Sequence, residues 1–196
     1  MALPQDSLDV LFFNARTHNA WRDEPVDDAL LQRLYEAARW PPTMANIQPM
    51  RLVFVRSAEA KARLKPLLAQ GNVDKTMAAP ATAIVAYDVN FHEQMLTLAP
   101  HKPGMKDYFG GLPEDARATV ASQAAWMQGA YLILAARALG LDCGPMGGFD
   151  KAGVDAEFLT GTAWKSNFLL NLGHGDPAGL YPRAGRLDFT FAARIL

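Results

Sequence analysis

The chain reads as an α+β layered fold, and three observations predict it. Three short apolar runs, RLVFVR (Arg51–Arg56), TAIVAY (Thr82–Tyr87) and NFLLNL (Asn167–Leu172), have the length and β-branched or aromatic content of strands, the last two of buried ones. Between them lie helical periodicities of unequal length. They do not alternate with the strands in the regular βαβ repeat of a dinucleotide-binding domain.

Taken in order, Ser7 is placed to cap a short helix with Leu8, Leu11 and Phe12 on one face. Asp27 is the natural cap of the next helix, with Val26 and Leu31 spaced as a hydrophobic staple. Leu30, Leu31, Leu34, Ala37 and Ala38 form its apolar side, and it should end near Trp40. After the first strand, Ser57 caps a helix reaching about Ala69. Gly71 and Asn72 turn the chain, a short helix follows, and Pro80 stops it. The stretch from Val89 to Leu112 is irregular and long for a loop, as segments that partly cover a site often are. The longest helix spans Pro113 to Leu139, is apolar nearly all round, and stops at Gly140. Such a helix is central and covered on most sides, in part by another subunit, with Trp126 and Met127 read as core. A Gly-rich loop, Gly144 to Asp150, then leads into a short helix.

The 196 residues, half of them apolar, suit one globular domain spanning 1–196 with a substantial core. A net charge of −1 and a pI near 6.4 give no electrostatic reason to expect nucleic acid or an anionic membrane. No run of about 18 apolar residues suggests a membrane span. The single cysteine, Cys143, reads as a small buried thiol, and with no export signal in view a reducing cytoplasm is expected. The four histidines lack the spacing of a metal site, so no metal is expected. GHGDPAG (Gly173–Gly179) has the wrong spacing for a dinucleotide loop, and Pro177 and Pro182 oppose a following helix.

The most informative stretch is WPPTMANIQP (Trp40–Pro49), a rigid polar turn between a helix and a strand. Together with ARTHNAW (Ala15–Trp21), GNVDKTM (Gly71–Met77) and GPMGGFD (Gly144–Asp150), it resembles the nitroreductase-like flavoprotein superfamily. Within that superfamily the text is nearest the RutE/HadB subgroup, of the malonic semialdehyde reductase type. ARTHN, QGNVDKT, GAYLI, GLDCGPMGGFD, KSNFLLNLG and GDP carry that likeness in order.

The resemblance implies a central mixed sheet flanked by helices, in an intertwined homodimer with two FMN sites at the subunit interface. It also implies ping-pong chemistry: NADH or NADPH gives hydride to flavin N5, and a small acceptor then receives it. The subgroup points to malonic semialdehyde as acceptor. A broad nitroaromatic or quinone reductase and a non-catalytic FMN-binding dimer are the alternatives.

The same resemblance assigns residues. Arg16 and Thr17 would meet the flavin phosphate, with His18 and Asn19 in the same segment and Arg183 and Arg186 as a second cationic clamp. Asn72 and Lys75 would meet the pyrimidine edge. Pro42, Thr43, Met44 and Asn46 would reach the flavin of the other subunit. Pro145, Met146, Gly147 and Gly148 would lie over the ring, with a backbone N–H near N5. This sequence departs from the superfamily at Asn19, where a basic residue is common, at Gly147, often Glu, and at Met44, often a small hydroxyl residue. From the long irregular stretch, His101, Lys102 and Lys106 are candidates for an acceptor carboxylate, and Tyr108 and Phe109 for the pocket wall. No side chain is expected to act as a nucleophile.

Overall fold

A computed structural model describes residues 2–196. Four strands, β1 (Met50–Val55), β2 (Ala81–Asp88), β3 (Asp142–Met146) and β4 (Trp164–Gly173), form one sheet in the order β1-β2-β4-β3. Every pairing is antiparallel, so the expected mixed sheet is corrected to an antiparallel one. The only parallel contact among the described residues is an isolated bridge between Thr17 and Cys143, outside the named strands. All three predicted strands are present, β1 shifted by one residue and β2 and β4 with wider bounds. β3 is the strand that sequence reading missed, because Gly144 and Pro145 disguise it as loop.

The helices are α1 (Gln5–Leu8), α2 (Asp28–Ala38), α3 (Ala58–Leu64), α4 (Val73–Ala78), α5 (Met95–Leu98), α6 (Gly104–Gly110), α7 (Glu114–Ala138), α8 (Lys151–Phe158) and α9 (Phe189–Ala192). Local chemistry sets several boundaries. The Asp27 carboxylate accepts from Leu30 N–H at 2.7 Å, and Ser57 Oγ from Ala60 N–H at 3.0 Å. Asp150 caps α8 by accepting from Gly153 N–H at 3.1 Å. Gly140, at φ 82°, ends α7 in the left-handed conformation that glycine tolerates. Ser7 is no cap: it lies inside α1, which begins after Pro4 and runs into a five-residue π turn, Asp9–Phe13. The stretch from Val89 to Leu112 is not a loop. It folds as a 3-10 turn (Phe91–Gln94) followed by α5 and α6, over a core of Ile47, Phe91, Met95, Phe109 and Ala121.

Strand alternation builds the layers. Ala83 and Val85 of β2, with Phe168, Leu170 and Leu172 of β4, face α2 and α7. Ile84 and Leu169, one residue out of phase, face Leu64 of α3 and Val154 of α8. The Val26–Leu31 staple is buried as its spacing predicts, whereas Ala37 is exposed. Helix α7 rests on the sheet where Gly129 meets Phe168. A Cβ there would stand 2.6 Å from the Phe168 ring, so the close approach requires glycine. Trp126 stacks on the same ring at 4.5 Å, but it and Met127 are half exposed, as is Tyr131. The expectation that Trp126 and Met127 are core is therefore corrected within this chain.

Replacing Gly129 with Ala should destabilise the protein by about 1–3 kcal/mol through overpacking against Phe168. Urea unfolding of the purified variant measures it, and a loss under about 0.5 kcal/mol would show that Phe168 can yield.

Candidate functional site

Three of the four sequence-selected segments meet at the open edge of β3. His18 N–H donates to Cys143 C=O at 3.0 Å and lays Ala15–Trp21 along that edge. The indole N–H of Trp21 then donates to Lys75 C=O at 3.0 Å, and Asn171 Nδ2 donates to the same carbonyl at 3.3 Å. Asn72 Nδ2 donates to Gly148 C=O at 2.8 Å, which Ala69 N–H also meets at 3.0 Å. Phe149 bridges Leu68, and Asp150 N–H reaches Leu67 C=O at 2.8 Å. The first segment, α4 and the turn after β3 are thus one hydrogen-bonded unit.

The two glycines of that turn have different tasks. A Cβ on Gly148 would lie 2.7 Å from the Asn72 amide, so this glycine makes room for the tie to α4. A Cβ on Gly147 would meet nothing within 4 Å, leaving the backbone open to a flat ligand. Lys75 is half-buried, and its ammonium has no ion pair among the described residues. Pro145 is exposed, but the Met146 side chain is buried with Thr76 Oγ1 3.4 Å from its sulfur, so only its backbone faces the turn.

The arginines are gathered by the C-terminal segment. Arg16 donates to Tyr181 C=O, and Arg183 Nη2 donates to Phe13 C=O at 2.7 Å and Ala15 C=O at 3.2 Å. Arg186 bonds only the neighbouring carbonyls of Ala184 and Gly185 and does not join them. Thr17 is exposed and Asn19 half-buried. His18 does not line the site. Its ring is buried against Gly175, with Nε2 3.4 Å from Asp142, because the bridge to Cys143 turns this side chain inward. Cys143 is buried as expected, and burial pushes its thiol up to about 12.

The fourth segment stands apart. Pro42, Thr43, Met44 and Asn46 belong to a turn whose bonds run to Leu98 and to Gln128 of α7. A shallow groove of about 510 Å³ beside it is lined by Tyr35, Arg39, Trp40, Pro42, Asn46 and Gln48. The acceptor candidates lie near this turn. His101, Lys102 and Tyr108 are exposed, while Lys106 is paired with Glu93 at 3.0 Å. That lysine holds the Glu93 carboxyl below the usual range. Phe109 is excluded from a pocket wall: it is fully buried, edge-on to Phe91 at 5.1 Å.

Sequence reading missed Trp21 as a tie, Asn171, Gln48, Gln128 and Lys61. Lys61 is buried, and its ammonium donates to the carbonyls of Thr76 at 2.9 Å, Met77 at 3.4 Å and Ala79. It closes the C-terminal end of α4, the helix that carries Lys75. Its position in a helical periodicity gave no sign of this. Among the described residues no three His, Cys, Asp or Glu side chains gather as a metal site, and no helix is long and apolar enough to cross a membrane.

Residues 14–174 match the Nitroreductase family. The chain is 59% identical over 194 residues to a Burkholderia lata protein provisionally named an NADH dehydrogenase/NAD(P)H nitroreductase, covering 98% of both chains. A Stenotrophomonas maltophilia protein of the same provisional name is 58% identical over 194 residues, covering 99% of this chain and 98% of that one. Among solved structures, an Exiguobacterium sibiricum protein described as a nitroreductase in complex with FMN superposes with a TM-score of 0.86. It is 22% identical, with 100% of this chain and 99% of that chain covered.

Burial pushes the Lys61 ammonium down to about 8 from 10.5. The unfolded chain therefore binds the extra proton between these values, so Lys61 raises stability as pH rises through that window and withdraws it as pH falls toward 8. Measured against Lys61→Met, the wild-type stability should improve from pH 8 to 10.5. A flat difference across that range would show that the three carbonyls fully compensate the burial.

Proposed function

We propose, on the premise that this chain belongs to the nitroreductase family, that it is an FMN-dependent NAD(P)H oxidoreductase working as a homodimer. We further propose malonic semialdehyde as its acceptor, reduced to 3-hydroxypropionate, in line with the RutE/HadB-like text of the chain. NAD(P)H is taken from the name of its 59% identical relative, and FMN from the structural neighbour that holds it. The observation that carries the reading is Lys75, a half-buried residue whose ammonium is unpaired among the described residues, in the unit that Asn72 ties to the open Gly147–Gly148 backbone.

The residues present fit FMN. Arg16 has guanidinium donors to spare beyond its bond to Tyr181, and Arg183 is held beside the same segment, so the pair suits a phosphate dianion. Gly147 leaves a flat ring free to approach the backbone. When bound, FMN supplies the two-electron transfer between donor and acceptor. The protein's part is to orient and tune. Lys75 offers a positive charge to the pyrimidine edge, which favours the electron-rich state.

The dimer accounts for features that one copy leaves open. Trp126, Met127 and Tyr131 form an exposed apolar strip on α7, and Phe12 and Phe13 are exposed beside the first segment. The C-terminal segment carries Leu187, Phe189, Phe191 and Ile195, each more than half exposed, which a second copy would cover. In such a pair, Pro42, Thr43, Met44 and Asn46 would serve the neighbouring site, which explains their separation from Lys75 within one chain. The Lys102 ammonium and the exposed imidazole of His101, just beyond Leu98, are the groups available to an acceptor carboxylate.

A second reading is a broad nitroaromatic or quinone reductase, favoured by the relatives' names and the open approach at Gly147. A comparison of kcat/KM decides between them, because specificity is differential transition-state binding. The purified dimer should be yellow, bleach anaerobically with NADH or NADPH, and recolour with a semialdehyde. A quinone preferred by orders of magnitude would exclude the aldehyde reading, and a colourless protein that takes up no FMN would exclude both.

Arg16→Ala should weaken FMN binding about tenfold or more, as loss of a charge-assisted bond does. Full flavin occupancy after dialysis would remove Arg16 from the site. Lys75→Ala should retain flavin but lower its midpoint potential, read by spectroelectrochemistry. An unchanged potential would remove Lys75 from the redox role.

A further inference from the structure

We infer that Gln128, in the middle of α7, is a positioning residue for the Pro41–Pro49 turn, and that it acts through an oriented relay of side-chain amides. The inference rests on the proposed role of that turn at the flavin site of the neighbouring copy.

The turn needs holding. Ala45, Asn46 and Gln48 have φ of 50°, 58° and 41°, and they are the only non-glycine residues with positive φ among those described. Asn tolerates this region; Ala and Gln adopt it only when the surroundings impose it. Pro41 and Pro49 stiffen both ends without supplying a hydrogen-bond donor.

What imposes it is a chain of bonds whose direction admits one solution. Gln128 is only 3% exposed, and its Oε1 accepts from Met50 N–H at 2.9 Å. A backbone N–H can only donate, so the Gln128 amide group must turn its Nε2 the other way. That Nε2 donates to Gln48 Oε1 at 2.7 Å. Gln48 Nε2 must then donate in turn, and it does so to Asn46 Oδ1 at 2.8 Å and Pro41 C=O at 3.3 Å. Asn46 Nδ2 is left to donate to Leu98 C=O at 2.7 Å, an acceptor only.

The backbone of Gln48 is engaged too. Its N–H meets Thr43 Oγ1 at 3.3 Å, and its C=O accepts from Arg51 at 3.0 Å. The relay thus begins at a strand N–H, ends at the carbonyl that closes α5, and fixes every amide between. It joins the central helix, the turn and the segment bearing His101 and Lys102. An apolar residue at 128 would pack as well against the sheet but would leave Met50 N–H and Gln48 Oε1 without partners.

The diagnostic substitution is Gln128→Glu. The carboxylate still accepts from Met50 N–H, so the helix-to-strand tie survives. Ionised, its second oxygen faces Gln48 Oε1, acceptor against acceptor. Protonated, it would donate there as Gln128 does, so the variant is read above about pH 8 and the mismatch grows as pH rises. Gln48 can flip to donate there, but its oxygen then faces Asn46 Oδ1 and Pro41 C=O. The mismatch passes along the relay into the turn.

With FMN-loaded dimer, Gln128→Glu should keep the wild-type far-ultraviolet circular dichroism while its melting temperature falls by several degrees from the buried charge. It should also raise the Kd for FMN about tenfold and alter the visible circular dichroism of the bound flavin. Gln48→Met, which spares the Gln128–Met50 bond, should do the same and answers the question if Gln128→Glu does not fold. Adding Ala45→Gly, which removes the penalty of positive φ at one position, should recover part of the lost affinity. An FMN Kd and dichroism equal to wild type in both variants would overturn the inference.

Cleavage of the FMN-free protein by thermolysin reads the relay without flavin. Cutting within residues 43–48 should be about tenfold faster in Gln128→Glu, since access follows local opening. Wild-type cleavage rates would overturn the relay. A wild-type chain that binds no FMN, yet shows this protection difference, would overturn the proposed function and keep the relay.

Discussion

The contact between Gly129 of α7 and the ring of Phe168 on β4 sets the distance between the longest helix and the central strands. The height of α7 above the sheet in turn fixes where its other side chains can reach. One face of α7 carries small side chains, Ala121, Ala124, Ala125 and Ala136, and these let the helix lie low on the sheet. At that height the neighbouring Gln128 reaches Met50 N–H at the start of β1, and through Gln48 reaches the turn before it. Met127 and Tyr131 are left outward, and Trp126, stacked on the Phe168 ring at the edge of the contact, is half exposed. Within this chain α7 packs one face on the sheet and leaves part of its apolar surface exposed.

A second organising point is the peptide carbonyl of Lys75. Trp21, 54 residues before it, and Asn171, 96 residues after it, both donate to that oxygen. Lys61 closes the carbonyls at the end of the same helix. A six-residue helix has little stability of its own, since nucleation is costly and few bonds repay it. Here tertiary bonds hold it, and so the ammonium of Lys75 is presented on a fixed base. The Asn72 amide extends that base to Gly148, whose missing side chain makes the bond possible. The support of Lys75 and the tie to the Gly147–Gly148 turn are therefore one connected set of hydrogen bonds.

Much of the fold was legible because its signals are local. Asp27, Ser57 and Gly140 mark helix ends by chemistry that acts within four residues. The runs at 51–56, 82–87 and 167–172 are too short and too apolar to be anything but strands in this setting, the first a half-buried edge strand. β3 escaped because a strand containing Gly and Pro carries no propensity signal and exists only through pairing with β4. The 89–112 stretch escaped for a related reason. Its helices are of four and seven residues, and their apolar positions, Phe91, Met95 and Phe109, converge on one another only after folding.

By itself, then, the sequence determined the alternation of elements, the caps, the rigid Pro-flanked turn and the family resemblance, since each is written in neighbouring residues. Only the tertiary structure decided that His18, Met146 and Phe109 point inward, and that Arg186 stays apart while Arg16 and Arg183 share one segment. It alone decided that a lysine at position 61 and a glutamine at position 128 are buried donors rather than surface polar residues. For the buried donors and the clustered arginines the physical reason is shared: a polar side chain's role is set by which unpaired carbonyl or N–H it meets, and that partner lies 15 residues away for Lys61 and 170 for Arg183.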